Sequence, residues 1–132
     1  MNPVIQRRLT DLFNIACTND AIGSKRTRIV SGIWYRNQLI SIGFNSMKTD
    51  PFQATFASNY EAICIHAEMH ALKKALKKLS VEELKKADIY VARAKKISDQ
   101  DHTFVKGLAK PCIGCMKAIV LFEFRNVYYT ED

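Results

Sequence analysis

The sequence predicts an α/β fold, a three-layer α-β-α sandwich built on a mixed sheet. Three observations lead there. Segments with helical apolar spacing alternate with short runs of β-branched and aromatic residues. Two of those runs, 28–35 and 39–44, are separated by three residues, which imposes an antiparallel hairpin. The later runs are each reached through a helix, and a helix between two strands implies a crossover and parallel strands. A length of 132 residues suits a single domain spanning 1–132.

The elements follow in chain order. From residue 3 to about 18, Val4, Ile5, Leu9, Leu12, Phe13 and Ala16 recur close to helical spacing, and Gly23 breaks the pattern. Residues 28–35, rich in Ile, Val, Trp and Tyr, read as a strand; Arg36, Asn37 and Gln38 make the turn; 39–44 read as the second strand. Residues 45–60, with Asn45, Ser46 and Pro51, read as a loop. After Tyr60, the positions Met69, Leu72, Leu76 and Leu79 form an apolar stripe, with lysines on the opposite side. Ser80 and Glu83 have the spacing of a capping box. Residues 88–94 alternate as a third strand, and 95–110, polar and containing Gly107, form a loop or an extended hairpin. Residues 112–122 return to helical spacing, and 125–130 are the last strand.

Composition narrows the class. Apolar residues at 48% and charged residues at 25% are the balance of a folded globular chain. The net charge of +7, from 20 Lys and Arg against 13 Asp and Glu, favours anionic partners such as nucleotides or nucleic acid. Lys73, Lys74, Lys77, Lys78, Lys85 and Lys86 fall in one stretch, however, which is the pattern of a solvated helix face. No run of eighteen apolar residues exists, so no membrane span is expected. The first residues carry Arg7, Arg8 and Asp11 and lack the apolar core of a signal peptide, so a cytoplasmic location is expected. In that reducing compartment the four cysteines are not expected to form disulfides. Cys112 and Cys115 stand as C-x-x-C, a spacing for metal or redox chemistry. Cys17 and Cys64 sit among apolar neighbours and read as small buried hydrophobes.

Two short segments carry the chemistry: His66-Ala67-Glu68 and Pro111-Cys112-x-x-Cys115, each opening an expected helix. His66, Cys112 and Cys115 supply three ligands for Zn2+ and leave a fourth tetrahedral position open. A structural zinc site closes with four protein ligands, so three ligands plus an uncommitted Glu68 point to catalysis. Thiolates suit zinc better than magnesium or calcium. A thiolate at a helix N-terminus gains about 0.3–1 kcal/mol from the dipole when exposed. Pro111 starts the turn without an amide donor that a helix start cannot use. Glu68, two residues beyond His66, leaves that residue's helix face and reaches a water in preference to the metal.

H-x-E followed by P-C-x-x-C resembles the signature of the cytidine and deoxycytidylate deaminase superfamily. Gly43-Phe44-Asn45 is similar to that family's G-x-N, and the order of elements resembles its fold over about residues 3–130. The resemblance implies a cytidine deaminase-like fold and hydrolytic deamination. In that reaction a zinc-activated water attacks C4 of cytosine or C6 of adenine, and Glu68 passes protons to the ring nitrogen and the leaving ammonia. It also implies that Asn45 and the Ala67 amide orient base and sugar, and that the protein forms a homo-oligomer.

Among substrates, a pyrimidine nucleotide of the dCMP type is the first reading. Ser24, Lys25, Arg26 and Arg28 resemble the S-K segment of deoxycytidylate deaminases and would hold a phosphate, as would Lys48 and Thr49. The second reading is a nucleic-acid deaminase acting on transfer RNA adenosine or single-stranded cytosine, with Phe52, Phe56 and Tyr60 as stacking surfaces. Gly114 stands where the transfer RNA enzymes commonly carry Met. The third reading, a module in which zinc only holds the fold, leaves Glu68 without a purpose. Residues 95–110, with His102, Phe104 and Lys106, are longer than in compact relatives and are expected to border the active-site mouth, because they end at Cys112. The chain stops after its fourth expected strand, where many relatives continue with a fifth strand and a last helix. His70 shares a helix face with His66 and is expected to pack without binding metal; deoxycytidylate-type relatives commonly place Asn there.

Overall fold

The hairpin expected near the start of the chain organises the sheet. In the computed structural model, which describes residues 2–18, 27–45, 50–56, 66–97 and 103–132, β1 (Thr27–Tyr35) and β2 (Gln38–Phe44) pair antiparallel. The two-residue turn places Arg36 at φ 52° and Asn37 at φ 64°. Both central positions are left-handed, as the twist of a short hairpin requires. Asn accepts this conformation readily, whereas an arginine there costs about 1–2 kcal/mol.

β3 (Asp88–Lys96) lies antiparallel on the other side of β1, so β2 and β3 run in the same direction with β1 between them. The helix joining them therefore makes the expected crossover. The far edge of β3 is shared. β5 (Asn126–Tyr129) pairs parallel with its first half, Asp88 to Val91, and β4 (Phe104–Gly107) pairs antiparallel with its second half, Arg93 to Lys96. Thr130 makes the handover between them. Its amide donates to the Val91 carbonyl at 3.0 Å, and its hydroxyl donates to the Gly107 carbonyl at 2.6 Å and accepts from the Arg93 amide at 3.1 Å.

Helices cover both faces. α1 (Pro3–Thr18) presents Leu9, Leu12 and Ala16 to Val30, Tyr90, Ala92 and Ala94. On the opposite face, α3 (Ala67–Ala75) and α5 (Ile113–Leu121) bury Met69, Leu72, Ala75, Cys115, Ala118 and Ile119 against Ile33 and Ile89. The three-layer sandwich with a mixed sheet is thus present. Between α3 and β3 lies α4 (Val81–Leu84), whose capping box is formed: Ser80 Oγ accepts from the Glu83 amide at 3.1 Å, and the Ser80 amide donates to Glu83 Oε1 at 2.9 Å.

One segment differs from the sequence reading. Residues 45–60 are not all loop, because α2 (Pro51–Phe56) forms within them. Asp50 Oδ1 accepts from the amides of Phe52 and Gln53, and Pro51 fills the first helical position, a start signal that the surrounding polar residues obscured. The polar stretch 95–110 forms the hairpin that was one of its two expected states, through β4. Phe104 and Lys106 turn to the α1 face, where Phe104 stacks on Arg28 and Lys106 donates to Thr10 Oγ1 at 2.9 Å. Strand alternation places both on one face of an edge strand, and that face is the one α1 covers. His102 lies outside the described residues.

Candidate metal centre

Two helix starts converge at the site. His66 is the N-cap of α3 with extended backbone, φ −89° and ψ 159°, and Cys112 is the N-cap of α5, φ −67° and ψ 171°. His66 Nδ1 lies 3.4 Å from Cys112 Sγ and 3.3 Å from Cys115 Sγ. All three donor atoms lie within 4.8 Å of one another. Tetrahedral zinc with its usual bond lengths separates a nitrogen and a sulfur ligand by about 3.5 Å, so one imidazole and two thiolates at this spacing fit that ion.

The protons in the cluster tell the same story. Hydrogen bonds from Cys115 and His66 hold the Cys112 thiol down at about 3, so Cys112 is a thiolate, and the Cys115 amide adds a further donor at 3.5 Å. Donation to Cys112, together with burial, pushes the Cys115 thiol up. The hydrogen bond to Cys112 also raises His66. Thiol and imidazole ligands bind a metal in their deprotonated forms, so metal binding at such a cluster releases protons.

Position on the chain follows from local packing. Gly43 on β2 seats α3: a Cβ there would stand 2.3 Å from the Ala67 carbonyl oxygen and 2.3 Å from the Ala71 amide nitrogen. Ser41 Oγ adds a hydrogen bond to the Ala71 carbonyl at 2.8 Å. α5 is reached from β4 through a segment held by the Ala109 amide on the Thr130 carbonyl, 2.9 Å. Helix N-termini carry partial positive charge, so both starts favour the thiolates.

Glu68, in the first turn of α3, is 6% exposed and lies beside Cys115. Burial pushes its carboxyl above the ordinary carboxylate range, opposed by its own backbone amide and by His66. A buried carboxyl next to a metal-fitting cluster suits proton transfer. Cys112 is exposed and Cys115 buried, so the cluster has one side open to solvent and the Glu68 side closed.

The remaining expected residues divide. Ala67 opens α3 beside the cluster, where the first amides of a helix have no intrahelical acceptor. Asn45 follows β2, and its Oδ1 accepts from the Ile29 amide at 3.0 Å, extending the β1–β2 pairing by a side chain. Arg28 is not brought to the cluster. It lies on the α1 face, donating to the Ala16 and Cys17 carbonyls at 3.3 and 3.1 Å and so completing the α1 C-terminus. Ser24, Lys25, Arg26, Lys48, Thr49, Tyr60 and Cys64 lie outside the described residues. Cys17 is half-buried. His70 packs as expected, its Nδ1 accepting from the Phe44 amide at 3.0 Å. Phe52 and Phe56 are used in packing: they meet edge to face at 5.7 Å, and Phe52 also contacts Phe122 at 6.5 Å.

One participant escaped the sequence reading. Gln53 on α2 is fully buried; its Oε1 accepts from the His66 amide at 3.1 Å, and its Nε2 points to Cys115 Sγ at 3.8 Å. The available signal was Asp50-Pro51, which starts the helix that aims it.

Comparison with known proteins agrees with this geometry. The family described as the cytidine and deoxycytidylate deaminase zinc-binding region matches residues 11–131. A sequence comparison with curated proteins finds no match. Among solved structures, guanine deaminase from Bacillus subtilis is similar at 23% identity and TM-score 0.61, covering 99% of this chain. The chain spans 65% of the length of that protein. The dCMP deaminase of cyanophage S-TIM5 is similar at 20% identity and TM-score 0.62, with 98% of this chain and 84% of that one covered. A structure from work on A-to-I editing by tRNA:A34 deaminases is similar at 18% identity and TM-score 0.55, with 94% and 75% covered. These likenesses establish the fold.

Proposed function

The chain belongs to the cytidine and deoxycytidylate deaminase family, and from that premise we propose that it hydrolyses the exocyclic amine of a cytosine nucleotide or nucleoside, of the dCMP type, to give the uracil product and ammonia. The observation that carries this is Glu68, a buried carboxyl placed beside the His66, Cys112 and Cys115 cluster. In this reading His66, Cys112 and Cys115 hold zinc. When bound, zinc acts as a Lewis acid that lowers the pKa of a water toward about 7.

Glu68 accepts a proton from the attacking water as its oxygen bonds to C4. The same carboxyl returns that proton to the ring nitrogen, then takes the remaining proton from the new C4 hydroxyl and delivers it to the amine as the C–N bond breaks, so ammonia leaves, the C4 carbonyl forms and the carboxylate is restored. The Ala67 amide and Asn45 orient base and sugar. The like fold of the phage dCMP deaminase supports a small nucleotide substrate. Self-association belongs to the same proposal, supported by Ile113, Val120 and Leu121 exposed along α5. So does a cytoplasmic location; among the described residues no helix is long and apolar enough to cross a membrane.

Glu68→Ala tests the mechanism. Zinc content by elemental analysis should stay near that of the parent, while ammonia release from dCMP falls by at least about 100-fold, the usual size of a general acid–base contribution. Undiminished turnover in that variant would remove Glu68 from the reaction. A nucleic-acid substrate is the second reading, favoured by the +7 charge and by the tRNA deaminase likeness. The packing of Phe52 and Phe56 weighs against it, because rings engaged with each other are not free to stack on bases.

A further inference from the structure

At the end of the sheet away from the cysteine cluster, the β1–β2 turn and the starts of β3 and β5 enclose a pocket. Trp34 stands opposite Asp88, and Asp88 opposite Asn126, so the three strands meet there. Along β2 this turn is roughly 20 Å from Gly43, where α3 is seated, at the rise of an extended strand.

The pocket is lined by Arg8, Arg36, Lys86 and Arg125, with Asp88 as its single carboxylate, a balance of +3. Asp88 is already engaged. It accepts from Arg125 Nε and Nη2 at 3.1 and 2.8 Å and from Asn126 Nδ2 at 3.1 Å. Arg8 is 9% exposed, and its partners are neutral: the Tyr90 hydroxyl at 3.0 Å, Asn37 Oδ1 at 3.3 Å, and the ring faces of Trp34 and Tyr90. It forms no ion pair among the described residues. A buried cation without a counter-charge is disfavoured, and aromatic faces offset that only in part. Arg36 holds a left-handed backbone at φ 52°, where Gly or Asn is ordinary, and so keeps a cation at the pocket rim at a conformational cost. Glu83, the carboxylate that senses Arg36, is itself taken by the Ser80 amide.

We propose that this pocket is a second binding site, separate from the metal centre, for the phosphate groups of a small phosphorylated ligand. Guanidinium forks match phosphate oxygens two at a time, and the Lys86 ammonium adds a point charge. A bound phosphate would supply the counter-charge that Arg8 lacks among the described residues.

Calorimetric titration of the zinc-loaded full chain with inorganic pyrophosphate at low ionic strength tests it. Binding is expected in the parent and about 10-fold weaker in Arg36→Gly and in Lys86→Ala, the size of one charge-assisted hydrogen bond. Arg36→Gly relieves the left-handed strain, so its melting temperature should hold or rise, which separates lost binding from lost folding. No binding of pyrophosphate, or equal affinity in the parent and both variants, would overturn the site. A single-stranded oligonucleotide added as competitor identifies the source of the phosphates. Displacement that weakens in the same variants assigns them to nucleic acid and overturns the small-ligand form of the proposal; failure to displace supports it.

Discussion

The amide of Gln53 bridges two parts of the metal centre without joining it, its oxygen on the His66 backbone and its nitrogen toward Cys115. Groups that orient metal ligands from behind commonly change metal affinity by 10–100-fold when removed. Gln53→Ala is therefore expected to weaken zinc binding by about that factor in competition with a chromophoric chelator. Unchanged affinity would make Gln53 a packing residue only. The cluster of His66, Cys112 and Cys115 and the neighbouring Glu68 were legible in the sequence because donor chemistry is a property of residue type and short spacing. Gln53 was not, since a glutamine thirteen residues before His66 becomes a neighbour only once α2 folds back on α5 and α3. Arg28 shows the converse. Its charge was visible, but strand alternation turned it to the α1 face, where helix carbonyls use it.

At the scale of elements, α3 depends on the surface it lies on. Gly43 lets the helix backbone approach β2 closely, and Asp50 ties α2 to α3 through Lys73 at 2.8 Å. A methyl group at residue 43 would press on two backbone atoms that have no rotamer to escape into. Gly43→Ala is expected to cost about 3 kcal/mol, the upper end for overpacking, read as a lower urea midpoint. A change within 0.5 kcal/mol would mean that the helix can shift away. The lysines of α3 and of the turn that follows it, expected to be solvated, also have a structural use. Lys74 and Lys78 donate to the Ile42 and Ile40 carbonyls at 2.9 and 3.0 Å, covering the open edge of β2 with charge and discouraging strand addition there. Helix periodicity and the capping box at Ser80 were readable because they are local. α2 was missed because six residues offer too little periodicity.

For the whole molecule, the metal centre joins helix starts 46 residues apart in sequence. A ligand that binds only the folded chain stabilises it by mass action, about 2.7 kcal/mol at a hundred times its Kd. Chelation is accordingly expected to lower the melting temperature by about 10 °C, with recovery on adding zinc. An unchanged melting temperature would show that the two helix starts are held by packing alone. The two faces of the sheet carry separate tasks. The α3–α5 face builds the centre, while the α1 face takes Arg28, Phe104 and Lys106 into packing.

From the sequence alone, the α/β class, the hairpin, the crossover helices, the three metal-fitting side chains and the carboxyl proposed to carry protons could be read. Each is encoded by periodicity, turn length or donor type over a few neighbouring residues. The tertiary structure decided the sharing of β3's edge between β4 and β5, the return of Gln53 to the ligands, the turning of Arg28 away from them, and the gathering of four cations around Asp88. Those outcomes depend on which distant surfaces meet and which face of a strand is covered, and no local pattern in the chain carries that information.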